Sequence, residues 1–69
     1  MKRVRIIING EPHTMVEAAT VADVIAVLGA PPVGVAVAVD GEVVPRASWS
    51  THQLPAEARV EVLTAVQGG

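Results

Sequence analysis

The chain has 69 residues and a formal net charge of −2, from five Lys and Arg against seven Asp and Glu. A chain of this length is one small domain that buries only about 60% of the surface its unfolded form exposes, with little volume left for a deep small-molecule pocket. It has no cysteine and a single aromatic residue, Trp49, which excludes a disulfide scaffold, a thiolate metal site, a thiol nucleophile and a stacking platform for nucleic-acid bases.

Arg3-Val4-Arg5-Ile6-Ile7-Ile8 starts with period-two alternation and ends fully apolar. That pattern predicts a strand buried on both faces toward its end. The basic start, Lys2, Arg3 and Arg5, reads as a solvated strand face rather than a nucleic-acid patch. The apolar run after it is too short for a signal-peptide core and lacks a small-residue cleavage site. Asn9-Gly10 is a strong hairpin signal, because both residues tolerate the positive φ of a type I′ turn. A shorter strand is expected around His13 to Val16, and Pro12 marks it as an edge strand, where a missing N–H breaks no ladder.

Thr20 and Asp23 have capping-box spacing and open a helix of two to three turns. Val21, Val24, Ile25 and Leu28 form its apolar stripe. Gly29 ends it, and Pro31-Pro32 forbid its resumption. The run from Pro31 to Val39 is the longest uncharged apolar stretch, and prolines and a glycine interrupt it well short of a membrane span. A soluble, cytoplasmic protein without a membrane partner is expected. Val35 to Val39 is a third strand with its valines on one face and Ala36 and Ala38 on the other. Asp40-Gly41 turns it into a short fourth strand closed by Pro45. Arg46 to Gln53 carries turn and short-helix chemistry around Trp49, a packing anchor for that loop. Residues 54–58 connect to a final strand from Arg59 to about Ala65.

This order predicts an α+β fold, a mixed sheet of about five strands with one main helix across one face. A single helix leaves the other face open. Ile7, Ala36, Ala38 and Leu63 are expected there, a low-relief apolar surface for docking a partner. A register slip of one residue would swap the faces.

The body offers no catalytic constellation. His13 and His52 stand apart near turns without neighbours at metal-ligand spacing, and read as solvated loop residues. Ser48, Ser50 and Thr51 beside His52 lack a nucleophile elbow and an orienting acid. Gly29, Gly34 and Gly41 are turn residues, with no Gly-Lys-Ser/Thr phosphate loop among them. What remains is the end of the chain, Thr64-Ala65-Val66-Gln67-Gly68-Gly69. Its two terminal glycines have no Cβ and can thread a channel too narrow for other residues. Extended, these six residues reach at most roughly 20 Å. A frayed, inert terminus is the bland alternative.

Asp40-Gly41-Glu42-Val43-Val44-Pro45-Arg46, then Trp49, Val60-Glu61-Val62-Leu63 and Ala65-Val66-Gln67-Gly68-Gly69 resemble the sulfur carrier protein of thiamine biosynthesis. The resemblance covers essentially the whole chain. Asp40 stands where that family usually has Asn, and Pro55-Ala56-Glu57-Ala58 replaces its Gly-Asp turn. The resemblance implies one ubiquitin-like, β-grasp domain over residues 1–69 with a C-terminal tail of about 65–69. It implies a carrier rather than an enzyme, with Gly69 as the residue that becomes an adenylate and then a thiocarboxylate. Gly68, Gln67, Val66 and Ala65 would be the tail that partners recognise. The implied partners are an E1-like adenylyltransferase that uses ATP and magnesium, a persulfide sulfur donor and thiazole synthase. This chain itself would bind no cofactor and no metal. A molybdopterin synthase small subunit shares the Gly-Gly end, as do ubiquitin-like protein modifiers. A plain interaction module is the remaining alternative.

Overall fold

Two tight turns organise the sheet. In the computed structural model, which describes residues 2–29 and 33–64, Asn9 and Gly10 have φ of 50° and 83°, and Asp40 and Gly41 have φ of 49° and 87°. Positive φ at both central residues is the type I′ geometry that matches the twist of the flanking strands. The first turn joins β1 (Arg3–Ile8) to β2 (Glu11–Val16), and the second joins β3 (Val35–Val39) to β4 (Glu42–Val44). The last strand, β5 (Arg59–Thr64), lies between the two hairpins. The sheet order is β2-β1-β5-β3-β4. β5 runs parallel to β1 and antiparallel to β3.

The strands match the sequence expectations with small changes. β2 begins at Glu11, two residues earlier than expected, and Pro12 does lie in an edge strand. His13 is in the middle of that strand, half-buried, so it is not a loop residue. β1 is an interior strand; Ile6 and Ile8 are buried, and Ile7 on the opposite face is half-buried. The predicted continuation of the last strand to Ala65, and the tail of residues 65–69, lie outside the described residues.

The helix α1 (Val21–Leu28) crosses one face of the sheet. Its first turn has every N–H paired. The Thr20 hydroxyl accepts from the Asp23 N–H at 3.3 Å, and the Asp23 carboxylate accepts from the Thr20 N–H at 2.8 Å, completing the capping box. The N–H groups of Val21 and Ala22 donate to the carbonyls of His52 and Trp49 at 3.1 and 3.0 Å. The loop after β4 therefore satisfies the donors that every helix N-terminus leaves open. Gly29 closes the helix at φ 68°, where a residue with a Cβ is strained. Leu28, expected in the buried stripe, is 37% exposed at the last position of the helix, next to the Gly29 cap.

Val21, Val24 and Ile25 meet Ile6, Ile8, Val37, Val39, Val60 and Val62 in one core, closed at its margins by Met15, Val44, Leu54 and Trp49. No polar or charged residue is buried among the described residues. Trp49 anchors its loop, with its indole Nε1–H donating to the Val44 carbonyl at 3.0 Å. Five strands of mixed direction with one helix across a single face make this a β-grasp, ubiquitin-like fold, as the sequence leads one to expect.

Candidate functional site

The uncovered face of the sheet is built by the alternate residues of the same strands. Pairing sets which side chains share it, because directly opposed residues point the same way. Ala36 lies opposite Leu63, Ala38 opposite Glu61 on one side and Val43 on the other, and Ile7 beside Arg59. Ile7, Ala36, Ala38 and Leu63 therefore all stand on this face, as expected. They do not form one continuous patch. Ala36, Ala38, Leu63 and Val43 cluster toward the end of β5, while Ile7 lies nearer its beginning, with Arg59 beside it.

Among the described residues Val43 is the most exposed large apolar side chain, at 75%, with Leu63 at 65%. Val43 was not among the residues expected on this face, although the turn that places it there is visible in the sequence. A two-residue turn at Asp40-Gly41 pairs Val39 with Glu42 and hence Ala38 with Val43. Glu61 sets one negative charge among these apolar residues. At the other end the face is charged. The Arg5 guanidinium binds the Glu57 carboxylate through bonds of 2.7 to 3.1 Å. Those hydrogen bonds, helped by the opposite charge, hold the Glu57 carboxyl below its ordinary range and raise Arg5 above its own. Both groups are open to solvent, so water and salt weaken the pair.

Two surface depressions flank β5. One, of about 330 Å³, is lined by Gly34, Val35, Ala36, Leu63 and Thr64, where the chain continues toward Gly69. The other, of about 280 Å³, is lined by Ile7, Asn9, Gly10, Arg59, Val60 and Glu61. Neither collects a catalytic set. Among the described residues no group of three or more His, Asp or Glu side chains could hold a metal ion. The Thr51 hydroxyl donates to the Ser48 carbonyl at 3.2 Å and is not directed at His52. No helix among the described residues is long and apolar enough to cross a membrane.

The structure thus brings together an apolar patch at the exit of β5, two to five residues from each of the tail positions Ala65, Val66, Gln67 and Gly68 in sequence. Those four residues and Gly69 lie outside the described residues, so their placement is not part of this geometry. Comparison with known proteins bears on the whole chain. The model of the ThiS family matches residues 6–69, from β1 through the last glycine. No curated protein matches the chain. Among solved structures, the chain is similar to the thiamine biosynthesis protein (ThiS) from Geobacter metallireducens. The two share 26% identity over 96% of this chain and 100% of that one, with a TM-score of 0.79. Matched from its first strand to its last residue, the chain belongs to the ThiS family of ubiquitin-like sulfur carriers in thiamine biosynthesis.

Proposed function

We propose that the sulfur is carried on the C-terminal carboxylate of Gly69, as a thiocarboxylate made by one partner enzyme and consumed by another. The observation that supports this most directly is that the family match runs unbroken to Gly69. A carboxylate is a poor electrophile, since attack on it adds charge to an anion. Adenylation removes that obstacle. A carboxylate oxygen of Gly69 attacks the α-phosphorus of ATP on an E1-like adenylyltransferase, and pyrophosphate leaves. The terminal sulfur of a protein-bound persulfide then attacks the acyl carbon, and AMP departs with the electron pair of the broken C–O bond. A thiol attacks the donor's cysteine sulfur in the resulting acyl disulfide, forming a new disulfide with that cysteine, and the acyl-bound sulfur leaves with the electron pair of the broken S–S bond as the thiocarboxylate. Thiazole synthase takes that sulfur into the thiazole ring.

Each part of this chain has a task in that scheme. Gly68 and Gly69 form the slim end that enters the partner's active site, and Ala65, Val66 and Gln67 span the distance as strand-like recognition elements. The open face, with Leu63, Ala36, Ala38 and Ile7, docks the body and raises the effective concentration of the tail at each site. ATP, magnesium and the acid–base groups belong to the adenylyltransferase, in the cytoplasm. The chain is a co-substrate, acted on rather than acting.

Intact-mass measurement after incubation with ATP, a sulfide source and the adenylyltransferase tests this reading. Exchange of one oxygen for one sulfur at Gly69 is expected. No exchange, or a covalent ladder onto lysines of other proteins, would overturn it. A chain lacking Gly69 should fold normally and acquire no sulfur. Discharge by thiazole synthase, and not by molybdopterin synthase, is the expected fate of the loaded carrier.

A further inference from the structure

The parallel pairing of β1 with β5 is short. Only Ile7 with Arg59 and Ile8 with Val60 are opposed before β1 turns away at Asn9. The Asn9 N–H donates to the Val60 carbonyl at 2.9 Å, the last bond that the β1 backbone makes to β5. β5 continues for four more residues, to Thr64. A parallel ladder would next require the carbonyl of residue 9 to accept from the Val62 N–H, and the N–H of residue 11 to donate to the Val62 carbonyl. The left-handed turn at Asn9-Gly10 carries both backbone groups away.

The side chain of Asn9 takes their place. Its Oδ1 accepts from the Val62 N–H at 2.8 Å, and its Nδ2 donates to the Val62 carbonyl at 3.3 Å. A carboxamide has the planar donor–acceptor pair of a peptide group, so one side chain extends the ladder by one step after the backbone has turned. Among the described residues this is the fastening nearest Thr64 on that flank of β5. On the other flank, β3 holds β5 as far as the pairing of Val35 with Thr64.

We propose that Asn9 is a positioning residue for sulfur transfer: by holding Val62 it fixes the exit of β5 and so the direction in which the chain leaves toward Gly69. The inference rests on the carrier reading above, because a fixed exit matters only if the terminal carboxylate has to reach a partner's reacting atoms. Reactions in pre-positioned groups are sensitive to displacements of about 1 Å. Asn at this position thus serves twice: its backbone makes the left-handed turn, and its amide braces the outgoing strand.

The test compares three substitutions in the full chain. Asn9→Gly keeps a turn residue that accepts φ of 50° and deletes the amide. Asn9→Asp keeps the shape and the acceptor but loses the donor to the Val62 carbonyl. Asp40→Gly is the control at the opposite end of the same strand, where the Asp40 carboxylate accepts from the Arg59 N–H at 2.9 Å from a turn of the same geometry. Sulfur loading by the adenylyltransferase and amide hydrogen exchange at Val62 are the readouts.

Asn9→Gly should exchange its Val62 amide about fivefold faster. Its kcat for loading should fall about tenfold with KM little changed, since the docking face is intact. Asn9→Asp should lie between, and recover toward wild type as acid protonates the carboxyl and restores a donor. Asp40→Gly should lose comparable stability and load at the wild-type rate. Equal loss of kcat in Asp40→Gly would reduce Asn9 to an ordinary stabilising residue, and wild-type loading by both Asn9 variants would overturn the proposal. These failures are separable from that of the carrier reading, in which the wild-type chain itself acquires no sulfur.

Discussion

Val62 and Leu63 are neighbours on one strand and live in different solvents. Val62, on the helix side, is 8% exposed; Leu63, on the other, is 65% exposed. Val44 and Val43 repeat the contrast at 4% and 75%. The same five strands thus build an apolar face that the described residues cover and an opposite, mixed face with an apolar patch around Leu63 and Val43 that they leave open. The covered surface carries the folding free energy. The uncovered one is spare in the isolated domain, and apolar side chains in contact with water are what a partner interface can use. Fold and binding are separated here by nothing more than odd and even positions.

Substitutions on the two faces can break or sharpen that contrast. The largest stability effect is expected at Ile6, fully buried beneath the helix. Ile6→Ala should cost about 3 kcal/mol in chemical denaturation. A domain of this length has only about 3 to 10 kcal/mol in total, so the variant should lose about a third or more of its stability. Trp49→Phe comes next. It keeps most of the packing but leaves the Val44 carbonyl without its indole donor, for an expected loss of about 1 to 3 kcal/mol by thermal or denaturant melting.

Leu63→Ser reverses the pattern. Its stability should stay within about 0.5 kcal/mol of wild type, while titration with the adenylyltransferase or thiazole synthase should show about tenfold weaker binding, a loss of about 1.4 kcal/mol. A variant that binds both partners normally would remove Leu63 from the docking face. The smallest effect belongs to Glu57→Gln. Arg5 lowers the Glu57 carboxyl in the folded chain, so the pair stabilises above the unfolded-state value and its contribution is lost as pH falls through the folded one. The difference between wild type and variant should therefore be visible near neutrality, shrink in acid, and vanish in high salt. A difference that grew in acid would reverse the sign of this argument.

Local signals in the sequence were reliable because each has a local cause. Asn9-Gly10 and Asp40-Gly41 place two left-handed residues in succession, Thr20 and Asp23 cap each other across one helical turn, and Pro12 is tolerable on a free edge. The alternation of Val35 to Val39 likewise assigned Ala36 and Ala38 to the open face. What was not legible depends on residues distant in the chain. Nothing within β5 announces that it lies parallel to β1, more than fifty residues earlier. His13 lies in mid-strand and not beside a turn because β2 pairs with β1 as far back as Glu11, and helical spacing alone places Leu28 in the buried stripe without showing that the helix ends there. Glu57 has a φ of 67°, a conformation that favours glycine. Its side chain and its N–H, which donates to the Arg5 carbonyl at 2.7 Å, are both held by one residue of β1. The Asn9-Gly10 pair signals a turn, but the bonds of the Asn9 amide to Val62 depend on a strand more than fifty residues away.

The parallel placement of β1 beside β5 also has a mechanical meaning. The first and last strands adjoin each other and point the same way, so tension between Arg3 and Thr64 acts along the ladder. Their hydrogen bonds, with the Asn9 amide among them, must slide together instead of opening one after another. A partner that draws the chain end into a narrow channel therefore pulls on the sheet in shear, the direction in which it yields least. The carrier can be gripped by its end without being unravelled from it.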